Sequence, residues 1–102
     1  MIHVVAIITA KSGMREAILR EFHANMPAVH AEKGCIEYGP AIDAEGMGGF
    51  QTKFGPDTCV VIEKWESPEA LSAHARSPHM SAYAAKTRDM IESRVIHVLQ
   101  PG

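Results

Sequence analysis

The chain has no run of Lys or Arg, only two cysteines, a single tryptophan, and no strongly apolar run longer than Val4-Val5-Ala6-Ile7-Ile8. Each shortage removes a class of function. Ten Lys and Arg against twelve Asp and Glu leave a formal net charge of −2, so the basic footprint of a nucleic-acid binder is missing. The apolar run falls far short of the roughly 20 residues that cross a bilayer. With no basic leader or cleavage site it reads as a first strand, not a signal peptide, so no membrane partner and a cytoplasmic location are expected. Cys35 and Cys59 stand apart beside apolar neighbours, a pattern that suits buried free thiols in a reducing compartment better than a disulfide, a nucleophile or a metal site. Phosphate loop, dinucleotide fingerprint and serine elbow are all absent. Any catalysis must come from side chains and a cavity, or from a ligand the sequence does not announce.

What is present is ordinary globular composition, 46% hydrophobic and 22% charged over 102 residues, enough for one domain spanning 1–102. Residues 2–10 are β-branched and apolar on both alternations. Ile2, Val4, Ala6 and Ile8 take one face; Val5, Ile7 and Thr9 take the other. After Lys11-Ser12-Gly13 a helical pattern carries Met14, Ile18, Phe22 and Val29. Pro27 should kink or restart this helix, and Gly34 should end it. A second strand is expected over 35–40, a glycine-rich loop over 43–57, and a third strand over 58–65 that is again apolar on both faces. Helices follow over about 68–75 and 78–91, each opened by a Ser-Pro pair, Ser67-Pro68 and Ser77-Pro78. Ser can cap orphan N–H groups, and Pro suits the first helical position. Residues 94–99 make the last strand.

The resulting order, β-α-β-β-α-β with a broken second helix, is the ferredoxin-like pattern of an α+β domain: a four-stranded antiparallel sheet with helices on one face. A sheet with one wet face alternates apolar and polar residues, and strands one, three and four do not. No segment of the chain remains to cover the second face. A second copy packed sheet against sheet, a symmetric homodimer, is the economical partner.

Chemistry is concentrated between Glu63 and Tyr83. His74 shares a helix face with Ala70 and Leu71 and should point toward the sheet. The following helix presents Met80, Tyr83, Ala84, Thr87 and Ile91. Small residues at Ala70 and Ala84 can leave a void lined by Trp65, Met80 and Tyr83, the makeup of a small-molecule pocket. An imidazole there could serve as a general base near neutral pH. His74 could equally be a core histidine satisfied by a carbonyl or by Glu63. Trp65 could be plain core, and His79 a solvent-exposed first-turn residue. Glu63 shares a strand face with Trp65 and needs a partner, so it is either a structural anchor or an orienter of a histidine. His74 and His79 alone are too few to hold a metal, and no Cys or carboxylate cluster accompanies them, so no metal site is expected.

These same residues resemble the antibiotic biosynthesis monooxygenase (ABM) domain family, and within it the bacterial quinol monooxygenases. The resemblance rests on Gly34-Cys35-Ile36-Glu37-Tyr38, on Pro56-Asp57, and on Glu63-Lys64-Trp65-Glu66-Ser67. It continues through Ala70-Leu71-x-x-His74-x-x-Ser77-Pro78-His79-Met80-x-x-Tyr83 and ends at Leu99-Gln100-Pro101-Gly102. It implies a ferredoxin-like subunit that dimerises into an α/β barrel. It also implies oxidation of a small quinol or phenolic aromatic by molecular oxygen, with no metal, flavin or haem as cofactor. In that picture His74 is the base, Trp65, Tyr83 and Met80 line the ring site, and Glu63 and His79 support it. Two alternatives belong to other classes: an isomerase of a small phosphorylated dione, of the autoinducer-2 processing type, and a non-catalytic dimeric module that binds a hydrophobic ligand. The isomerase would want a cationic clamp for its phosphate, and Arg76 is the one arginine the sequence puts near His74.

Overall fold

The computed structural model describes all of residues 1–102. Strand β1 (Ile2–Ala10) leads into helix α1 (Arg15–His30), strands β2 (Cys35–Ala41) and β3 (Thr58–Trp65), helices α2 (Pro68–Ala75) and α3 (Pro78–Thr87), a 3₁₀ turn (Arg88–Met90) and strand β4 (Ile91–Leu99). The sheet is antiparallel throughout, in the order β2-β3-β1-β4. This is the expected α+β, ferredoxin-like arrangement, and β1, β3 and α2 fall at the expected residues. No helix is long and apolar enough to cross a membrane.

Three details differ from expectation. Helix α1 runs through Pro27 without a break and stops at His30, four residues before Gly34. Pro27 lies in the last turns on the exposed side, so the carbonyl it leaves unpaired can be met by water. Helix α3 ends at Thr87, whose hydroxyl donates back to the Tyr83 carbonyl (3.0 Å), and β4 starts at Ile91 rather than at residue 94. Ser67 caps α2 as expected, its Oγ accepting from the Ala70 N–H at 3.2 Å, but Ser77 caps nothing. Its hydroxyl instead donates to the His74 carbonyl at the end of α2 (2.8 Å).

The period-2 pattern sorts the strands into two faces. Val4, Ala6, Ile8 and Ala10 of β1 join Cys59, Val61 and Trp65 of β3 under the helices, where Ile18, Phe22 and Val29 of α1 meet them. The helices leave β4 uncovered, and Val95, Ile96, Val98 and Leu99 are each about half exposed. On the outward face Ile62 and Val95 are likewise exposed.

Gly34 fixes how α2 sits. Its φ is +85°, a region that suits glycine, and a Cβ there would come within 2.6 Å of the Ala70 Cβ. The Gly34 carbonyl also accepts from the Glu66 N–H (2.9 Å). Ala70 is therefore small to let the α1–β2 turn approach α2, not to open a void, and that approach brings Glu32 beside His74.

Candidate active site

His74 is 4% exposed, in the last turn of α2. Two rings hold it: Trp65, with centroids 4.6 Å apart and planes tilted by 36°, and Tyr38, edge-on at 5.4 Å. Its Nδ1 donates to Glu32 Oε2 at 2.8 Å. The same oxygen accepts from His79 Nε2, also at 2.8 Å, while Ser77 Oγ lies 3.2 Å from that nitrogen. An ionised carboxylate only accepts, so Glu32 fixes the proton of His74 on Nδ1. Nε2 is left with its lone pair on the side of Glu63, whose Oε1 is 3.9 Å away. Glu63 in turn accepts from the Trp65 indole N–H at 2.8 Å. Burial pushes the Glu63 carboxyl above its ordinary value, against the opposing effects of the Trp65 hydrogen bond and of His74.

His74 and Glu63 open into a cavity of about 470 Å³ between the helices and the sheet, lined mostly by apolar side chains, with Tyr38, Met80 and Tyr83 among them. The volume falls within the range of small-molecule sites. Tyr38 is buried and stacked on Phe22, with ring centroids 4.9 Å apart and planes 9° from parallel. Neither tyrosine hydroxyl is hydrogen-bonded within the chain, although buried phenols generally find a partner. Burial lifts the Tyr83 hydroxyl to about 12 and drives Tyr38 higher still, so both stay protonated and can donate to an oxygen anion in the cavity.

Measured against the sequence, His74, Glu63, Met80 and Tyr83 all line one cavity. Trp65 does not: it is wholly buried, and it acts on the site through the ring of His74 and the carboxylate of Glu63. His79 is not the solvent-facing residue that its place in the helix suggests, nor does it line the cavity, but it shares Glu32 with His74. Glu32 itself was missed. Its partners lie 42 and 47 residues away, and the only hint was a carboxylate two residues before the Gly34 turn. Arg94 was missed too, a cation on the cavity wall.

Glu32 also supplies the carboxylate that the sequence had not placed beside the two histidines. One ligand atom each from Glu32, His74 and His79 lies within 4.8 Å of the others, close enough to hold a metal ion. The closed hydrogen-bond pattern accounts for the same geometry without one, since both imidazoles donate to a single oxygen.

A buried histidine at the wall of a largely apolar cavity, on this sheet and with this helix order, sets the chain beside known proteins. The model of the antibiotic biosynthesis monooxygenase family matches residues 1–86. The chain belongs to that family. It is 38% identical over 104 aligned positions, covering 100% of this chain and 99% of the other, to the Escherichia coli K12 protein named "Probable quinol monooxygenase YgiN". Among solved structures, the ABM chain is similar to Rv0793 from Mycobacterium tuberculosis, with a TM-score of 0.79 and 26% identity over 98% of this chain and 93% of that one. A conserved protein from Methanosarcina mazei Go1 shares the fold, with a TM-score of 0.83 at 20% identity, covering 99% and 92%.

Proposed function

We propose that the protein is a cofactor-independent quinol monooxygenase that works as a homodimer. The observation that carries this reading is the pairing of His74 with Glu32 at the wall of an apolar cavity that also presents two unpartnered phenol hydroxyls. The E. coli relative, named for a quinol substrate, points the same way.

The chemistry needs little beyond a base and a dry pocket. His74 Nε2 takes a proton from a ring hydroxyl, and the Glu32 carboxylate stabilises the charge that develops on the imidazole. The resulting phenolate is a far stronger reductant than the neutral diol and can pass an electron to oxygen directly. Tyr38 and Tyr83 donate to the oxygen that carries the charge, and the apolar lining keeps water from competing. The reaction balances without an external reductant. 1,4-Dihydroxynaphthalene plus O₂ gives hydroxynaphthoquinone plus water, with all four electrons drawn from the diol, one oxygen atom entering the ring and the other leaving as water.

The half-apolar outward face of the sheet, with Val5, Ile7, Val60, Ile62 and Val95, is the surface for a second copy of the chain, and sheet-to-sheet packing would form the dimeric barrel. The deciding assay is oxygen uptake by metal-chelated, cofactor-stripped protein with 1,4-dihydroxynaphthalene, scored against autoxidation. Saturable uptake above that background supports the reading. Uptake at the background rate overturns it, and moves the isomerase and the binding module ahead.

A further inference from the structure

The cavity has one feature that oxidation of a neutral quinol does not require. Arg94 on β4 is the only Lys or Arg among its lining residues. Its guanidinium takes part in none of the chain's ion pairs. Arg15, by contrast, spends its guanidinium on the Gly55 and Thr58 carbonyls. The charge of Arg94 is felt inside the cavity, where it opposes the upward push of burial on the Tyr83 hydroxyl.

Sheet register places this cation relative to the base. Glu63, Val4 and Val98 form one row across the helix-covered face; Cys59, Ile8 and Arg94 form another, four residues along each strand. At about 3.3 Å per residue the two rows are roughly 13 Å apart. His74 belongs to the Glu63 row, through the 3.9 Å approach of its Nε2. The backbone positions of the Glu63 row and of Arg94 are thus about 13 Å apart along a cavity whose other lining is mostly apolar. A planar guanidinium takes a carboxylate in a two-pronged, charge-assisted hydrogen bond, and matches its single negative charge. A phosphate dianion would want a second cation, and Arg76 lines no part of the cavity, whereas Arg94, though exposed, does.

We propose that Arg94 is an anion-recognition point, and that the favoured substrate is an elongated phenol or quinol with a carboxylate at the end remote from the hydroxyl facing His74. This rests on the quinol reading above and narrows it to an acidic aromatic. The test is binding, not turnover, so the two can fail separately. Three unreactive probes are titrated by fluorescence into the wild-type protein and into Arg94→Met: 2-naphthol, 6-hydroxy-2-naphthoate with its groups at opposite ends, and 3-hydroxy-2-naphthoate with its groups adjacent. The wild type should bind 6-hydroxy-2-naphthoate at least about tenfold more tightly than 2-naphthol. Arg94→Met should erase that advantage and leave 2-naphthol affinity within about twofold. The 3-hydroxy isomer, which cannot span the two rows, should gain nothing over 2-naphthol. Equal affinity for 6-hydroxy-2-naphthoate and 2-naphthol in the wild type, an advantage that survives in Arg94→Met, or no binding of any probe overturns the proposal. If the preference appears but no diol consumes oxygen, the anion site stands and the quinol reading falls. If a neutral diol turns over and the preference is absent, the reverse holds.

Discussion

Replacing Glu32 with Gln tests the orientation of the base at little cost in shape. The wild-type oxygen accepts two N–H groups at 2.8 Å, from His74 and from His79. A hydrogen bond to a charged group contributes about 1.5–3 kcal/mol and a neutral one about 0.5–1.5 kcal/mol. Removing the charge while keeping an amide oxygen should therefore weaken each bond by about 1 kcal/mol. The bond to His74 matters most when the imidazole becomes charged, so its loss should fall on kcat, and about 1 kcal/mol corresponds to roughly fivefold. Glu32 does not line the cavity, so KM should stay within about twofold. The assay is steady-state oxygen uptake with 1,4-dihydroxynaphthalene, alongside urea unfolding. Glu32→Ala goes further and strands the Nδ1–H of His74, whose side chain is only 5% exposed. It should lower stability by about 1–3 kcal/mol, the penalty for a buried unsatisfied donor. A Glu32→Gln enzyme with kcat within twofold of wild type would refute the reasoning and reduce Glu32 to a packing role.

Two further outcomes follow from the same geometry. Tyr38→Phe removes a hydroxyl that bonds to nothing in the chain, so urea unfolding should shift by less than about 0.5 kcal/mol. Turnover should nonetheless fall about tenfold or more, as expected for a lost donor to a developing anion; a variant equally stable and equally active would remove Tyr38 from the mechanism. Glu63 has its carboxyl raised by burial, so the folded chain holds that proton more tightly than the unfolded chain does. Its contribution to stability is full below the ordinary value of 4.5 and is lost as pH rises through the raised one. Glu63→Gln keeps an acceptor for Trp65 and does not titrate, so its stability relative to wild type should climb between pH 4.5 and 8 in urea unfolding. A difference that stays flat with pH would contradict the buried-carboxyl assignment.

The fold was legible where local chemistry decided it. Two-sided apolar alternation bounded β1 and β3, and Ser67-Pro68 set the start of α2, because the capping hydroxyl and the fixed proline φ act within four residues. The apolar pattern predicts a helix running on past Thr87 because Ile91 falls one helical turn later and so mimics a core stripe. In the structure it opens β4 and still lines the cavity. The site was legible only by residue type. His74 stands out, but the partners the sequence offers for it are a carbonyl or Glu63, because Glu32 lies far off in sequence and the close approach of Gly34 to Ala70 brings the two together. Trp65 reads from the sequence as either plain core or, by the family resemblance, a ring-site wall, since an indole suits both and burial alone separates the two. Arg94 was invisible because the register of β4 against β1 and the angle of the helices over it are tertiary facts.

The most direct measurement of the central claim compares wild type with His74→Ala at saturating 1,4-dihydroxynaphthalene, following oxygen consumption, with affinity for the quinone product measured in parallel. Loss of a general base predicts a fall of about 10²-fold or more in turnover with quinone affinity retained. Turnover undiminished in His74→Ala would contradict the account.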